Sequence, residues 1–116
     1  MKTLLILNDP PYGTEKSYNA LRLARSLLEK GTSEVRVFLL GDAATCAHGG
    51  QKVPQGYYNI ADMLGAVLRR GGEVAVCGTC MDARGITADE LVGGAKRGSM
   101  DQLTEWTAGS DKVLVF

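Results

Sequence analysis

The sequence lacks an excess of charge of either sign. Its 13 basic and 13 acidic residues give a formal net charge of zero. The two basic pairs, Arg69-Arg70 and Lys96-Arg97, are typical of the solvated ends of secondary-structure elements. Because binding to a phosphate backbone needs a basic excess or a clustered basic face, we expect no nucleic-acid partner.

The chain also lacks a long hydrophobic run. No stretch approaches the ~20 apolar residues of a membrane span, so no membrane partner is expected. The short apolar run after Met1 ends at Asp9-Pro10-Pro11 without the small-residue cleavage site of a secretory signal. We therefore expect a cytoplasmic protein, in which three cysteines indicate thiol chemistry or metal binding and not a disulfide framework.

Several common catalytic and cofactor-binding motifs are missing. Neither GxGxxG nor GxxxxGK[ST] occurs, and we expect no cofactor. The single histidine, His48, would have to serve every step of a Ser-His-Asp triad, so no triad can be argued. Asp82 and Asp89 fall where turns and first helical turns favour acids, so paired catalytic carboxylates are also unsupported.

The sequence does contain an alternation of strand and helix patterns over its 116 residues, which suit one domain, 1–116. Apolar runs predict strands at 3–8, 35–40, 73–77 and 112–116, with a short fifth near 95–98. Apolar stripes and capping residues predict helices at about 15–30 and 60–70, a short helix at 87–93 and another after Ser99. Residues 41–58 are predicted to be a long loop with one helical turn near 43–46. This pattern is typical of an α/β fold with a parallel sheet between helices.

The strand at 73–77 ends on the most informative residue, Cys77. Cys80 follows three positions later, and a polar turn with Asp82 and Arg84 comes next. Chemistry in α/β proteins usually sits at the carboxyl ends of parallel strands, so Cys77 is our first candidate for a catalytic residue. Arg84, or the helix that opens at Thr87, is expected to stabilise a thiolate or persulfide anion there. The alternative for Cys77 is an inert buried cysteine. The alternative for Arg84 is that it pairs with Asp82 or crosses a subunit interface.

The spacing Cys77-x-x-Cys80 has two further interpretations. A thioredoxin-like redox pair needs its first cysteine at a helix N-terminus, but the next clear helix begins near Thr87, which places Cys80 in a loop. A Cys₃His zinc site would combine both cysteines with Cys46 and His48. Because Cys46-x-His48 is a loose half-site without a second histidine, we expect no bound metal.

Two loops should reach the same edge of the sheet as Cys77. The loop at 8–13 follows the first strand and contains a Pro-Pro pair that indicates a rigid turn; it supplies Asn8 and Tyr12 as candidate supporting residues. The loop at 46–58 supplies His48. A loop of that length in a compact domain is usually functional or packed against a partner.

Eight stretches of this chain resemble the DsrE/DsrF-like family, and most of all its small YchN-like members. They lie at 8–13, 17–24, 37–43, 50–52, 56–60, 77–86, 105–107 and 111–116. The resemblance implies a three-layer α/β/α sandwich with a five-stranded parallel sheet, assembled as a homotrimer or homohexamer. In the TusD-like sulfur-relay members, a cysteine at the end of the third core strand carries sulfane sulfur as a persulfide. That position matches Cys77, whereas Cys80 matches the second cysteine of the YchN-like subgroup and Cys46 departs from the pattern.

The resemblance implies a sulfur carrier or sulfurtransferase with a protein sulfur donor and acceptor. The thiolate of Cys77 would attack the sulfane sulfur of a donor persulfide and pass it to an acceptor thiol. Cys80 would release sulfide by forming a disulfide with Cys77. The alternative is a non-enzymatic oligomeric binding or scaffold protein whose cysteines are structural or bind metal.

Overall fold

The computed structural model describes all 116 residues and contains one five-stranded sheet. The strands lie in the order β4-β3-β2-β1-β5, and every neighbouring pair is parallel. They are β1 (Lys2–Leu7), β2 (Glu34–Leu39), β3 (Glu73–Cys77), β4 (Lys96–Gly98) and β5 (Lys112–Val115). The predicted α/β fold with five parallel strands is confirmed.

Four α-helices and two 3₁₀ segments connect the strands. The helices are α1 (Lys16–Glu29), α2 (Ile60–Arg69), α3 (Gly78–Ala83) and α4 (Met100–Ala108), and the 3₁₀ segments are Gly41–Ala47 and Ala88–Glu90. The predicted cap of α2 is confirmed, because the amide of Asp62 donates to the Asn59 side chain over 3.0 Å. Ser99 caps α4 in the same way, through the Gln102 amide at 3.2 Å. No helix combines the length and apolarity that crossing a membrane requires.

The helices cover the two faces of the sheet unequally. α1 and α2 pack on one face, where Leu21 and Leu64 join Leu5 and Val37 in the main core. On the other face α4 supplies Trp106 to a smaller cluster. The predicted three-layer arrangement is therefore confirmed, with a single nine-residue helix over the second face.

A strip of apolar side chains on the second face extends beyond α4. Leu40 and Ile6 are partly buried at the edge of the smaller cluster, as is Cys77. Ile6 is paired in register with Val115 of the edge strand β5, and Val115 is 67% exposed. We call Leu40, Ile6 and Val115 the apolar strip; it leads from Cys77 to the edge of the sheet.

The strands predicted at 3–8 and 35–40 each lie one residue earlier, as β1 and β2, and three other predicted elements need correction. The helix at 15–30 is one residue shorter at each end, with Glu15 and not Thr14 at the N-cap. The loop at 41–58 contains a seven-residue 3₁₀ segment rather than one turn, because its small residues Ala43, Ala44 and Ala47 pack fully into the core. The helix expected at 87–93 has three residues, because the chain leaves it to form a bridge between Leu91 and His48.

Candidate functional site

The site lies where β3 passes directly into α3. Cys77 is the last residue of β3 and also the N-cap of α3, whose side chain accepts a hydrogen bond from the Cys80 amide at 3.4 Å. The prediction that Cys80 lies in a loop is therefore wrong. Gly78 and Thr79 are weak helix formers, so no local pattern indicates α3. The helix N-terminus that a redox pair requires is present.

The two thiols differ in acidity because they differ in hydrogen-bonding partners. Burial alone would raise the pKa of Cys77, but hydrogen bonds with Cys80 and Thr79 outweigh it and lower that pKa. Burial and the bond with Cys77 both raise the pKa of Cys80, against a smaller opposing effect of the Gly41 amide, which lies 3.1 Å from its sulfur. These opposite shifts make Cys77 the more acidic thiol of the pair.

Cys77 opens into a cavity of about 270 Å³. Phe38, Leu40 and Met100 form its apolar wall, while Thr79 and Ser99 contribute hydroxyl groups. Met100 is 63% exposed, so the cavity is open to solvent on that side. A small group attached to sulfur can therefore reach Cys77 without any movement of the sheet.

One basic residue in this cavity, Arg97, was missed by sequence reasoning. It lies on β4, and its two terminal nitrogens donate to both carboxylate oxygens of Asp82 over 2.8 and 2.9 Å. Lys96-Arg97 is an exposed pair at the end of a strand, as expected, but nothing in the neighbouring sequence indicates that Asp82 is the partner of Arg97. The contact depends on the pairing of β3 with β4, which brings Arg97 beside the start of α3.

Arg84 lies beside Cys80 and away from the Cys77 cavity. Its guanidinium donates to one Asp42 oxygen over 2.7 Å and to the Cys80 carbonyl over 3.0 Å. The predicted pairing of Arg84 with Asp82 is wrong, because Asp82 is occupied by Arg97. Arg84 instead joins the end of α3 to the Gly41–Ala47 segment.

Asn8 and Tyr12 reach the carboxyl-end edge of the sheet, where each has a partner other than Cys77. The Asn8 side chain donates to the Phe116 carbonyl at 3.3 Å. The Tyr12 hydroxyl donates to Gln51 at 2.7 Å and accepts from the Ile60 amide at 3.2 Å. The structure therefore shows three hydrogen bonds that order the chain segments around the site.

Gln51 connects the long loop to its surroundings, a role that the sequence did not indicate. Its side-chain amide donates to the carbonyls of Cys46 and His48 over 3.0 and 2.9 Å. Its oxygen accepts from Tyr12 and from the amide of Ala61. The one signal for Gln51 in the sequence is that it lies in the stretch 50–52 that resembles the family; its neighbours Gly50 and Lys52 do not distinguish it from an exposed polar residue.

The four residues of the hypothetical zinc site do not come together. Cys46 is fully buried with its sulfur 3.5 Å from the Asp9 carbonyl, and burial raises its pKa to about 11. His48 is bound to Glu90, with 3.1 Å between Nε2 and the carboxylate. No three side chains of His, Cys, Asp or Glu are grouped to hold a metal ion.

Comparisons with known proteins match the chain along its whole length. The sequence profile of the DsrE/DsrF-like family matches residues 1–116. Protein YchN of Escherichia coli K12 is 40% identical over 99% of this chain and 98% of its own. The uncharacterized protein MJ0989 of Methanocaldococcus jannaschii is 37% identical over 100% of both chains.

Solved structures show the same architecture. The crystal structure of the E. coli ychN protein superimposes with a TM-score of 0.93 at 40% identity, covering 99% of this chain and 98% of that one. MTH1491 from Methanobacterium thermoautotrophicum, a protein of unknown function, gives 0.77 at 12% identity, covering 98% and 99%. The second match shows a shared fold alone.

Proposed function

Because the chain belongs to the DsrE/DsrF-like family, we propose that it carries or transfers sulfane sulfur as a persulfide on Cys77. The observation that supports this most is the position of Cys77. It lies at the junction of β3 and α3, is partly exposed in an open cavity, and has hydrogen bonds that lower its pKa. A thiolate is the nucleophile in sulfur exchange, and this site favours the thiolate of Cys77 over that of Cys80.

The proposed transfer is an exchange at a sulfur–sulfur bond. The Cys77 thiolate attacks the outer sulfur of a donor persulfide, R–S–SH. A new bond forms between that sulfur and Cys77, the donor bond breaks, and its electron pair leaves with R–S⁻. An acceptor thiolate then attacks the outer sulfur of the Cys77 persulfide. The acceptor keeps that outer sulfur, and Cys77 is released as a thiolate. We propose that both donor and acceptor are proteins.

We propose that Cys80 ends the loaded state when no acceptor is present. Its thiolate can attack the inner sulfur of the Cys77 persulfide, which forms a Cys77–Cys80 disulfide and releases hydrosulfide. The raised pKa of Cys80 keeps it protonated, so this release is slower than attack by an acidic acceptor thiol. A dithiol reductant, as is present in the cytoplasm where we propose that the protein acts, returns the disulfide to two thiols.

The apolar strip supports the proposal that the chain assembles into a homotrimer or homohexamer. A partner of the same kind would cover Val115, which is 67% exposed on the edge strand, and would bring its surface close to Cys77. Light scattering should give a mass of three or six chains. Val115→Lys should lower that mass, whereas Leu23→Lys, a similar change at an exposed position of α1, should not. A wild-type monomer would contradict the proposed assembly.

Mass spectrometry after incubation with a persulfide donor tests the transfer. We expect a gain of about 32 Da, the mass of one sulfur atom, on the peptide that contains Cys77. Cys77→Ser should abolish the gain, whereas Cys46→Ser should retain it because Cys46 is buried. Cys80→Ser should load and then lose sulfide more slowly. Full loading of the folded Cys77→Ser variant would rule out the assignment, and no loading of a folded wild-type oligomer would favour a binding or scaffold protein.

A further inference from the structure

We propose that Arg97 is the residue that stabilises the anionic sulfur on Cys77, in the thiolate and in the loaded persulfide. The part of this inference that concerns the persulfide rests on the proposed function. The part that concerns the thiolate depends only on the position of Arg97 in the Cys77 cavity. Arg97 acts through its charge on Cys77 and is therefore a positioning residue, with Asp82 as its anchor.

The guanidinium of Arg97 is held against the backbone that directly follows Cys77. Asp82 fixes its two terminal nitrogens in a bidentate pair, a geometry that only the planar fork of arginine provides. Gly78 lacks the side chain that would push the group away: a Cβ there would lie 2.8 Å from Cζ and Nε of Arg97. The combination of Gly78 and Asp82 thus sets where the positive charge lies.

Arg97 is the only charged residue that lines the Cys77 cavity. On α3, Asp82 is paired with Arg97 itself, and further titratable groups lie on the Cys80 side. These are the Cys80 thiol, whose pKa is raised, and Asp42, which is paired with Arg84. The negative charge on Cys77 and the guanidinium attract each other, and Cys77 is among the groups that raise the pKa of Arg97, after the larger effect of Asp82.

Loading with sulfur should strengthen this attraction. In a persulfide the charged outer sulfur stands about 2 Å beyond the cysteine sulfur. The cavity of about 270 Å³ that Cys77 lines has room for that outer sulfur. A persulfide anion in this space has Arg97 as its one cationic neighbour among the lining residues.

The rate at which Cys77 reacts with iodoacetamide, followed against pH by peptide mass spectrometry, tests the inference. Arg97→Gln should slow the reaction about two- to threefold at neutral pH and shift the profile to higher pH, an effect of the size expected for a partly solvated charge. Lys96→Gln removes the same charge from the neighbouring exposed position and should leave the profile unchanged. Arg97→Lys, which keeps the charge, should restore part of the rate.

Gly78→Ala offers a second test in which both charges remain. The added methyl group must displace the guanidinium, while alanine at this helical position is otherwise favourable. We expect a shift in the same direction as Arg97→Gln. Gly78→Ala also tests the inference if Arg97→Gln fails to fold, because it keeps both Arg97 and Asp82.

A pH profile of Arg97→Gln that coincides with wild type would overturn the inference, as would an equal shift in Lys96→Gln, which would indicate a general charge effect. Failure of the proposed function is a separate result. If Cys77 never acquires sulfur but its alkylation depends on Arg97, the persulfide role is wrong and the role of Arg97 at the thiolate stands. If sulfur loading occurs normally and neither loading nor alkylation responds to Arg97, the inference alone is wrong.

Discussion

Replacing Gln51 with alanine should destabilise the fold more than its position in a loop suggests. Four short hydrogen bonds join its side chain to the chain around it: two to the carbonyls of Cys46 and His48, one from Tyr12 and one from Ala61. These partners come from three separate parts of the sequence. The side chain therefore ties the long loop both to the 3₁₀ segment and to the start of α2.

The expected cost follows from the number of bonds. A neutral hydrogen bond contributes a net ~0.5–1.5 kcal/mol, and more is lost where a partner stays unsatisfied. Gln51 is half-buried, so water can reach some of the groups that truncation exposes. We expect a loss of about 2–4 kcal/mol in the free energy of unfolding, a large part of the ~5–15 kcal/mol that stabilises a typical domain.

Urea unfolding followed by far-ultraviolet circular dichroism, at one fixed protein concentration because assembly affects stability, measures this loss. Gln55→Ala is the matched control: Gln55 lies in the same loop and is exposed, so its loss should be within about 0.5 kcal/mol of zero. Gln51→Met keeps most of the volume without the hydrogen bonds and should resemble Gln51→Ala. A Gln51→Ala value equal to that of Gln55→Ala would refute the reasoning.

Two further outcomes are expected. Iodoacetamide at neutral pH should label Cys77 and leave Cys46 unlabelled in the native protein, since burial raises the pKa of Cys46 to about 11; peptide mapping checks this, and equal labelling would contradict the burial. Hydrogen bonds from the Thr87 amide and hydroxyl, and then from His48, lower the pKa of Glu90. A lowered folded pKa means that this contribution to stability is present above the unfolded pKa of ~4.3 and is lost as pH falls through the folded value. Between about pH 5 and pH 3, the melting temperature of Glu90→Gln should therefore fall less than that of wild type. An equal fall in the two proteins would contradict this.

The sequence predicted the strands better than the helices, and the position of Cys77 at the end of β3 better than the surroundings of Cys77. β3 begins and ends at the predicted residues because its run from Val74 to Cys77 is continuously apolar and bounded by Gly71-Gly72. α3 was not predicted because six residues show no helical periodicity, and cysteine is not among the usual N-cap residues.

The missed contacts at the site share one physical cause. Arg97 meets Asp82 only after β4 pairs with β3, and Gln51 meets Tyr12 only after two loops converge on one edge of the sheet. A local pattern contains the propensity of each residue but not the register between distant segments. The same limit explains Arg84, whose partner Asp42 lies on the segment after β2 and not beside it in sequence.

The smaller core cluster gives the protein an optical reporter. Trp106 is the one tryptophan in the chain, and its ring packs edge-on against Phe38 with 6.1 Å between centroids. Phe38 also lines the cavity of Cys77, so one aromatic side chain lies between the indole and that cavity. Changes at the sulfur that shift Phe38 or α4 alter the surroundings of the indole. Its fluorescence can therefore follow events at Cys77 with no dye attached to any cysteine.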